Sequence, residues 1–504
     1  MTLEPLELLE KKQGKTLYDY QIDSIEQIFD RIRKFPSRYN LLFQLPTGGG
    51  KTVIFSEISR RYILESQKSV LILTHRIELC GQTSRMLDEI GVPNKIINSK
   101  VKEIEEETNH KCFVAMVETL NNRLNDEKME LADVGLVIVD EAHYNSFRKL
   151  FKFFEDCIIL GVTATPLSSN IKLPLKDNYN ELIVGESISA LIEKGFLAKA
   201  QTYSYDVQLR SLKVGINGDY TVSSSERLYG NYFMQEKLLY AYEEKCKGQK
   251  TLIFNNGIAT SRQVHELFKD AGYEIRHLDN TNTEQERKDI LEWFKNKPDA
   301  ILTSVSILTT GFDEPTVETI ILNRATKSLT LYHQMIGRGS RILPKKANFN
   351  VIDLGNNARR FGLWESYINW QDIFRSPNSY LESLASDEEI EEQFTYEMPS
   401  DLRKKFGKSK DISFDMKEEY LQVLRDGHKP KQAIVNSIDQ HARMLAENSE
   451  DVFDALELSE ELNPDIEYRV KLYTRCISKN TENFVNWLSA DYKRQLKQRV
   501  RELF

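Results

Sequence analysis

Asn40-Leu41-Leu42-Phe43-Gln44-Leu45-Pro46-Thr47-Gly48-Gly49-Gly50-Lys51-Thr52 decides how this chain is built. An apolar run of strand length passes into a glycine-rich turn, and the turn opens the amphipathic helix expected over Lys51–Glu65. Backbone N–H groups of such a turn, at a helix N-terminus, cradle phosphates. The lysine then reaches the outer phosphates and the threonine hydroxyl holds Mg²⁺. Thr47, Gly48, Gly49, Gly50, Lys51 and Thr52 are therefore the candidate nucleotide contacts, with Thr52 also a metal ligand. ATP with Mg²⁺ is the expected cofactor.

Outward from this turn the pattern repeats. Asn40–Gln44, Ser69–Thr74, Cys112–Met116, Leu136–Asp140 and Cys157–Thr163 read as strands separated by helix-length segments, the signature of a parallel sheet with helices on both faces. The rhythm returns in Thr251–Asn255, Glu274–Leu278, Ala300–Thr303, Thr319–Asn323 and Asn350–Leu354. The fold class is thus α/β with two similar domains in tandem. The expected division is a first domain over 1–170, a linker with short strands over 171–240, a second domain over 241–380, an acidic solvated hinge over 381–414 and an all-helical region over 415–504. The hinge reading rests on Asp387, Glu388, Glu389, Glu391 and Glu392, which have no neighbouring Lys or Arg.

Composition narrows the class. The 504 residues exceed what a single hydrophobic core organises, and 40% apolar with 29% charged residues is an ordinary globular mixture. The longest apolar runs, such as Leu136–Val139 and Ile158–Val162, fall far short of the roughly 18 residues a membrane span needs. The stretch before Lys15 has no apolar core with a cleavage site, so a cytoplasmic location is expected. Five scattered cysteines predict reduced thiols and no structural zinc. A net charge of −8 means that any nucleic-acid track is a local basic groove.

Leu136-Val137-Ile138-Val139-Asp140-Glu141-Ala142-His143 is a buried strand ending in two carboxylates. Asp140 at the strand's end suits the Mg²⁺ complex, and Glu141 suits orienting and deprotonating a water, the division that phosphoanhydride hydrolysis requires.

With these motifs in this order the chain resembles the superfamily 2 helicases and translocases with a DEAH-type Walker B box, in the subgroup that contains RadD, XPB and UvsW. The resemblance runs from about Leu17 to Gly362. It implies two RecA-like domains with ATP between them and a strand of nucleic acid, DNA rather than RNA, across their top. Leu17-Tyr18-Asp19-Tyr20-Gln21 resembles the Q-motif, which implies that Gln21 recognises adenine; His143 of the DEAH box joins the nucleotide contacts. Motif Ia (Val70 to Arg76) and the following strand end (Val114 to Leu120) imply strand contacts at Arg76 and Thr119. Thr163-Ala164-Thr165 resembles motif III, which implies coupling of the Walker B box to the strand, with Thr163 and Thr165 on the track. Leu308 to Pro315 resembles motif V, implying strand contact at Thr309 and nucleotide contact at Gly311 and Asp313. Gln334-Met335-Ile336-Gly337-Arg338-Gly339-Ser340-Arg341 matches motif VI, which implies catalytic roles for Gln334, Arg338 and Arg341, the arginines acting as fingers. Lys51, Asp140 and Glu141 complete the catalytic set.

Three functions remain open at this level: a DNA helicase of repair, recombination or fork remodelling; the translocating subunit of a restriction or phage-defence complex; and a nucleotide-gated clamp without turnover. In the helical region cations such as Lys493, Arg494 and Lys497 interleave with Tyr473, Phe484, Trp487 and Tyr492, a pattern that fits apolar core under a solvated face.

Overall fold

The computed structural model describes residues 16–98, 110–126, 133–305, 308, 312–391, 398–410, 412, 414–477 and 482–504. The chain divides into two compact units, Met1–Glu392 and Gln393–Phe504.

The first unit holds two parallel sheets. In one, β1 (Tyr39–Gln44), β2 (Ser69–Thr74), β3 (Asn94–Ile97), β4 (Cys112–Met116), β5 (Val134–Asp140), β6 (Ile158–Thr163) and β7 (Glu181–Val184) lie in the order β3-β4-β2-β5-β6-β1-β7. In the other, β8 (Lys199–Ser204), β9 (Thr251–Asn255), β10 (Ile275–Leu278), β11 (Ile301–Val305), β12 (Thr319–Asn323) and β13 (Asn348–Asp353) lie in the order β10-β11-β9-β12-β13-β8. Every ladder is parallel, so the loops that follow the strands of a sheet share one edge.

Both faces of each sheet are covered, which is why the strands read as unbroken apolar runs. In the first sheet Leu41, Phe43, Ile72, Val114, Ile138 and Leu160 face one apolar cluster, while Leu42, Leu71, Leu73, Val137, Val139 and Ile159 face another with Phe147, Leu150 and Tyr179. Gly161 of β6 has no substitute, because a Cβ there would stand 2.6 Å from the Tyr179 ring. In the second sheet Leu252, Leu302, Ile320 and Val351 join the cluster that contains Leu41 and Phe43, and Ile253, Ile301, Ile321 and Ile352 pack on Tyr229, Leu238, Tyr242 and Phe268. One apolar cluster therefore runs from the first sheet into the second.

Two expectations from the sequence need correction. The stretch 171–240 is no mere linker: β7 pairs with β1, β8 pairs with β13, and the helix Val222–Tyr229 and the start of Tyr232–Lys245 cover the second sheet. Short edge strands with polar residues carry little periodic signal, and only their parallel partners define them. Nor is the acidic stretch, where described, a solvated hinge. Asp387–Glu391 is helical with Ile390 fully buried; Asp387 pairs with Arg360 and accepts from the Tyr220 hydroxyl. Glu391 pairs with Arg210 at 2.6 Å and accepts from the backbone N–H groups of Leu209 and Arg210 at 2.8 and 3.1 Å. The compensating cations come from far away in sequence.

The second unit is helical where described, with Met416–Arg425, Lys431–Asn448, Val452–Glu461, Asn463–Cys476 and Glu482–Leu503 around Ile434, Ile438, Leu445, Val470, Leu496 and Val500. Tyr473 and Tyr492 belong to that core, whereas Trp487 is exposed and stacks on Phe484. A buried polar knot crosses the core. His441 Nε2 lies 2.9 Å from Asp465 Oδ2 and Nδ1 lies 2.9 Å from the Tyr492 hydroxyl. Arg469 donates to Asp465 at 3.0 Å, to Ser437 at 3.1 Å and to Gln440 at 2.8 Å. Such a knot is safe only while complete, because removing one member strands a buried charge. Asp465→Ala should destabilise this unit by about 3–5 kcal/mol. Hydrogen exchange on the full chain should then show lost protection in Lys431–Asn448 and Asn463–Cys476 with the parallel sheets unchanged; retained protection would mean the knot contributes nothing.

Candidate active site at the carboxyl edges of the two sheets

β1 delivers the glycine turn at the carboxyl edge of the first sheet, where open α/β sheets bind ligands. Gly48 and Gly50 have φ of +92° and +84°, a region closed to most side chains. A Cβ on Gly50 would stand 2.5 Å from Gln21 Nε2. Gln21 is buried, and its Oε1 accepts from the Tyr18 N–H at 3.0 Å, capping the helix Asp19–Lys34. Next to it the Tyr20 hydroxyl donates to Gly49 O at 2.9 Å. The segment expected to read adenine thus braces the turn from beneath. Lys51 Nζ lies 3.3 and 3.5 Å from the Leu45 and Pro46 carbonyls. Its burial lowers its pKa, opposed by the carboxylates of Glu141 and Asp140.

Asp140 ends β5, and Glu141 follows in a left-handed conformation with φ +55°, its N–H donating to Asp140 Oδ1 at 3.0 Å. Such a backbone costs on the order of 1–3 kcal/mol and persists only where its surroundings enforce it. Burial, then the adjacent Glu141 carboxylate, raise the Asp140 carboxyl above the usual range. Burial would raise Glu141 as well, yet the neighbouring His143 and the Lys51 ammonium hold it below. His143 Nδ1 stands 3.3 Å from Glu141 Oε2 and 3.0 Å from Thr163 Oγ1. Tyr144 packs between His143 and His75 with tilted rings, centroids 4.3 and 4.2 Å away, and burial pushes His75 down to about 4.

The opposing wall comes from the second sheet. After the helix Leu329–Ile336 the chain passes so close to the turn that a Cβ on Gly337 would meet Thr47 Cβ at 2.7 Å, and one on Gly48 would meet Arg341 Nη1 at 2.6 Å and Ser340 Oγ at 3.0 Å. Arg341 Nε donates to Asp313 Oδ1 at 2.8 Å; its Nη1 is buried with no acceptor among the described residues. Arg338 donates to the Phe312 carbonyl, and burial with Arg341 alongside lowers its pKa to about 10. Gln334 is buried beside Tyr144. Lys51, Asp140, Glu141, Gln334, Arg338 and Arg341 thus gather around one turn. Asp313, expected as a nucleotide contact, holds a candidate finger.

Thr163 and Thr165 were expected on the nucleic-acid track, and the structure corrects this. Both are fully buried and bonded within the protein: Thr163 Oγ1 meets His143 and donates to Thr165 O at 3.1 Å, and Thr165 Oγ1 donates to Thr330 Oγ1 at 2.8 Å. They link the DEAH box to the second sheet instead of facing solvent. Arg76 caps the helix Ile77–Glu89 after β2, and Thr119 lies in the first turn of Val117–Asn125 after β4; both are half-buried on the carboxyl edge. Thr309 and Gly311 lie outside the described residues. Tyr20, Thr330 and Ser340 were missed, and only a fold could find them, since each acts through one contact distant in sequence.

The donor set fits a nucleoside triphosphate. Two left-handed glycines shape an N–H cradle, three cations converge on it, and Arg341 Nη1 is aimed at it without an acceptor. Thr52 and Asp140 supply the hard oxygen donors Mg²⁺ prefers.

Residues 14–168 match the family described as Type III restriction enzyme, res subunit, and residues 234–343 match the Helicase conserved C-terminal domain. A 51.5 kDa protein of Lactococcus phage (isolate 7-9) is 30% identical over 66% of this chain and 69% of its own length. A Saccharomyces cerevisiae protein that carries the name ATP-dependent helicase IRC3 is 31% identical over 67% of this chain and 51% of its own length. Among solved structures, a fragment named for an HsdR subunit of a type I restriction enzyme from Vibrio vulnificus YJ016 aligns over 73% of this chain and 70% of that one, with a TM-score of 0.55 and 21% identity, a likeness of fold. The chain belongs to the superfamily 2 helicases, ATP-hydrolysing enzymes, with a ResIII-type ATP-binding domain. No helix among the described residues is long and apolar enough to cross a membrane.

Gly50→Ala combines a forbidden φ with a clash on Gln21. It should lower steady-state ATP hydrolysis about ten-fold or more with an unchanged far-UV circular dichroism spectrum; undiminished hydrolysis would show that the turn holds no phosphates.

Proposed function

We propose that this protein is an ATP-driven motor that moves along a strand of DNA. The observation that carries the reading is Arg341 of the second domain lying against Gly48 of the turn, with Nη1 unsatisfied. Cations reaching a phosphate cradle from another domain make catalysis depend on the distance between domains, which is what a motor needs and a static binding site does not.

Bound at the turn, ATP with Mg²⁺ supplies a phosphoanhydride whose hydrolysis is strongly favourable. Thr52 and Asp140 would hold the metal. Lys51, freed from the Leu45 and Pro46 carbonyls, turns its ammonium toward the outer phosphates. Glu141, kept charged by His143 and Lys51, orients the attacking water and accepts its proton. Arg341 and Arg338 stabilise negative charge from across the cleft, and Gln334 beside Tyr144 helps position the water. Thr165–Thr330 and His143–Thr163 link the carboxylates to the second sheet, so a change at Glu141 reaches the interdomain seam. Arg76 and Thr119 contact the strand's backbone at the carboxyl edge.

DNA is the favoured track because the matching family is described by a restriction-enzyme subunit, and repair, recombination or fork remodelling are the settings that fit a free-standing motor. The same description, with the fold shared with the HsdR fragment, supports a second reading: the translocating subunit of a restriction or defence complex. A clamp without turnover is the weaker account, because it has no use for a charged Glu141 facing converging cations.

ATP hydrolysis by the wild type, Lys51→Ala and Arg341→Ala, alone and with single-stranded, forked or duplex DNA or single-stranded RNA, tests the proposal. DNA should stimulate the wild type, Lys51→Ala should abolish the response, and Arg341→Ala should lower the rate by about 10³-fold or more. Stimulation by RNA alone would overturn the DNA assignment; no stimulation by any polymer would favour a partner-dependent subunit.

A further inference from the structure

Between β8 and β9 the chain folds into a small hairpin that the motor chemistry does not use. Val214 and Tyr220 form an antiparallel bridge, Gly215 N–H donates to Asp219 O at 2.8 Å, and Thr221 N–H donates to Lys213 O at 2.7 Å. Gly218, with φ +81°, closes the turn. The base is anchored on several sides. Asp219 accepts from the Thr326 hydroxyl at 2.6 Å and the Lys327 N–H at 2.8 Å. The Tyr220 carbonyl accepts from Asn256 Nδ2 at 3.2 Å. The Tyr220 hydroxyl is held between Asp387 and Arg360, so the acidic helix is a buttress of this hairpin.

The tip is the opposite. Ile216 is 111% exposed, fuller than an extended reference chain, and Val214 and Val222 are half-exposed beside it. The tip is thus an apolar point on a firm base, and its setting gives that point something to meet. Thr326 and Asn256 follow the carboxyl ends of β12 and β9, and Thr330, three residues beyond Lys327, bonds to Thr165 of the first domain. The hairpin thus stands on the edge assigned to nucleic acid, beside the seam of the two domains, with exposed Lys213 at its foot and Arg210 held there by Glu391. A lysine beside an apolar point suits a phosphate flanking a base step, and an isoleucine pushed between bases unstacks them.

We propose that Ile216 is a strand-separating wedge, and that its occupant is the terminal base pair of a DNA duplex driven against it as one strand is drawn over the domains. The inference rests on the motor reading above, and the experiment separates the two. On a forked duplex carrying 2-aminopurine at the junction, the wild type should brighten the probe and, with ATP, part the strands. Ile216→Ser should keep single-strand-stimulated hydrolysis within about two-fold, part forks about ten-fold more slowly and leave the probe dark. Ile216→Phe, apolar and larger, should retain separation. The wedge is overturned if Ile216→Ser parts forks like the wild type. It also falls if the wild type hydrolyses ATP on DNA yet neither parts strands nor brightens the probe, the result expected of a hairpin that docks a protein. Absence of DNA-stimulated hydrolysis in the wild type would instead sink the motor reading, and the wedge with it.

Discussion

The glycine turn at 48–50 is gripped from two directions, and much of the first unit is arranged around that grip. Below it, Tyr20 and Gln21 fix the carbonyl of Gly49 and the space that Gly50 leaves free. Above it, Ser340 and Arg341 occupy the space that Gly48 leaves free. A side chain at either glycine would collide with a group the site uses. The turn is therefore a shared contact surface as well as a phosphate cradle. It works only because strand, helix and second domain all converge on the carboxyl edge of a parallel sheet.

The central strands were legible in sequence, with boundaries at most a few residues off, because a strand buried on both faces must be apolar along its whole length. β1, β2, β4, β5, β6, β9 and β12 have that character. The edge strands β3, β7 and β8 do not: all three are partly polar, β3 and β7 have only four residues, and each is defined by the neighbour it pairs with. The phosphate turn and the carboxylate pair were legible because each is local, a few consecutive residues doing one job. Thr163 and Thr165 were misplaced for the converse reason. A hydroxyl at a strand end looks the same whether it faces a ligand or, as here, a threonine 165 residues away.

The acidic stretch teaches the same lesson about charge. Counting carboxylates along the chain says that Asp387 to Glu391 is unpaired; the fold brings Arg360 and Arg210 to it and buries Ile390 underneath. A run of like charges is a statement about local sequence, and solvation depends on what comes to lie alongside.

The apolar cluster shared by the two sheets has a thermodynamic consequence. Leu41 and Phe43 on one side and Leu252 and Ile320 on the other belong to a single oily continuum. Parting the two domains therefore wets hydrocarbon, and wetting hydrocarbon raises heat capacity. The balance between closed and parted forms should curve with temperature, and cooling should weaken closure even when every ion pair across the seam is intact. In this enzyme the grip has its own thermometer, set by leucine and phenylalanine and not by the arginines that do the chemistry.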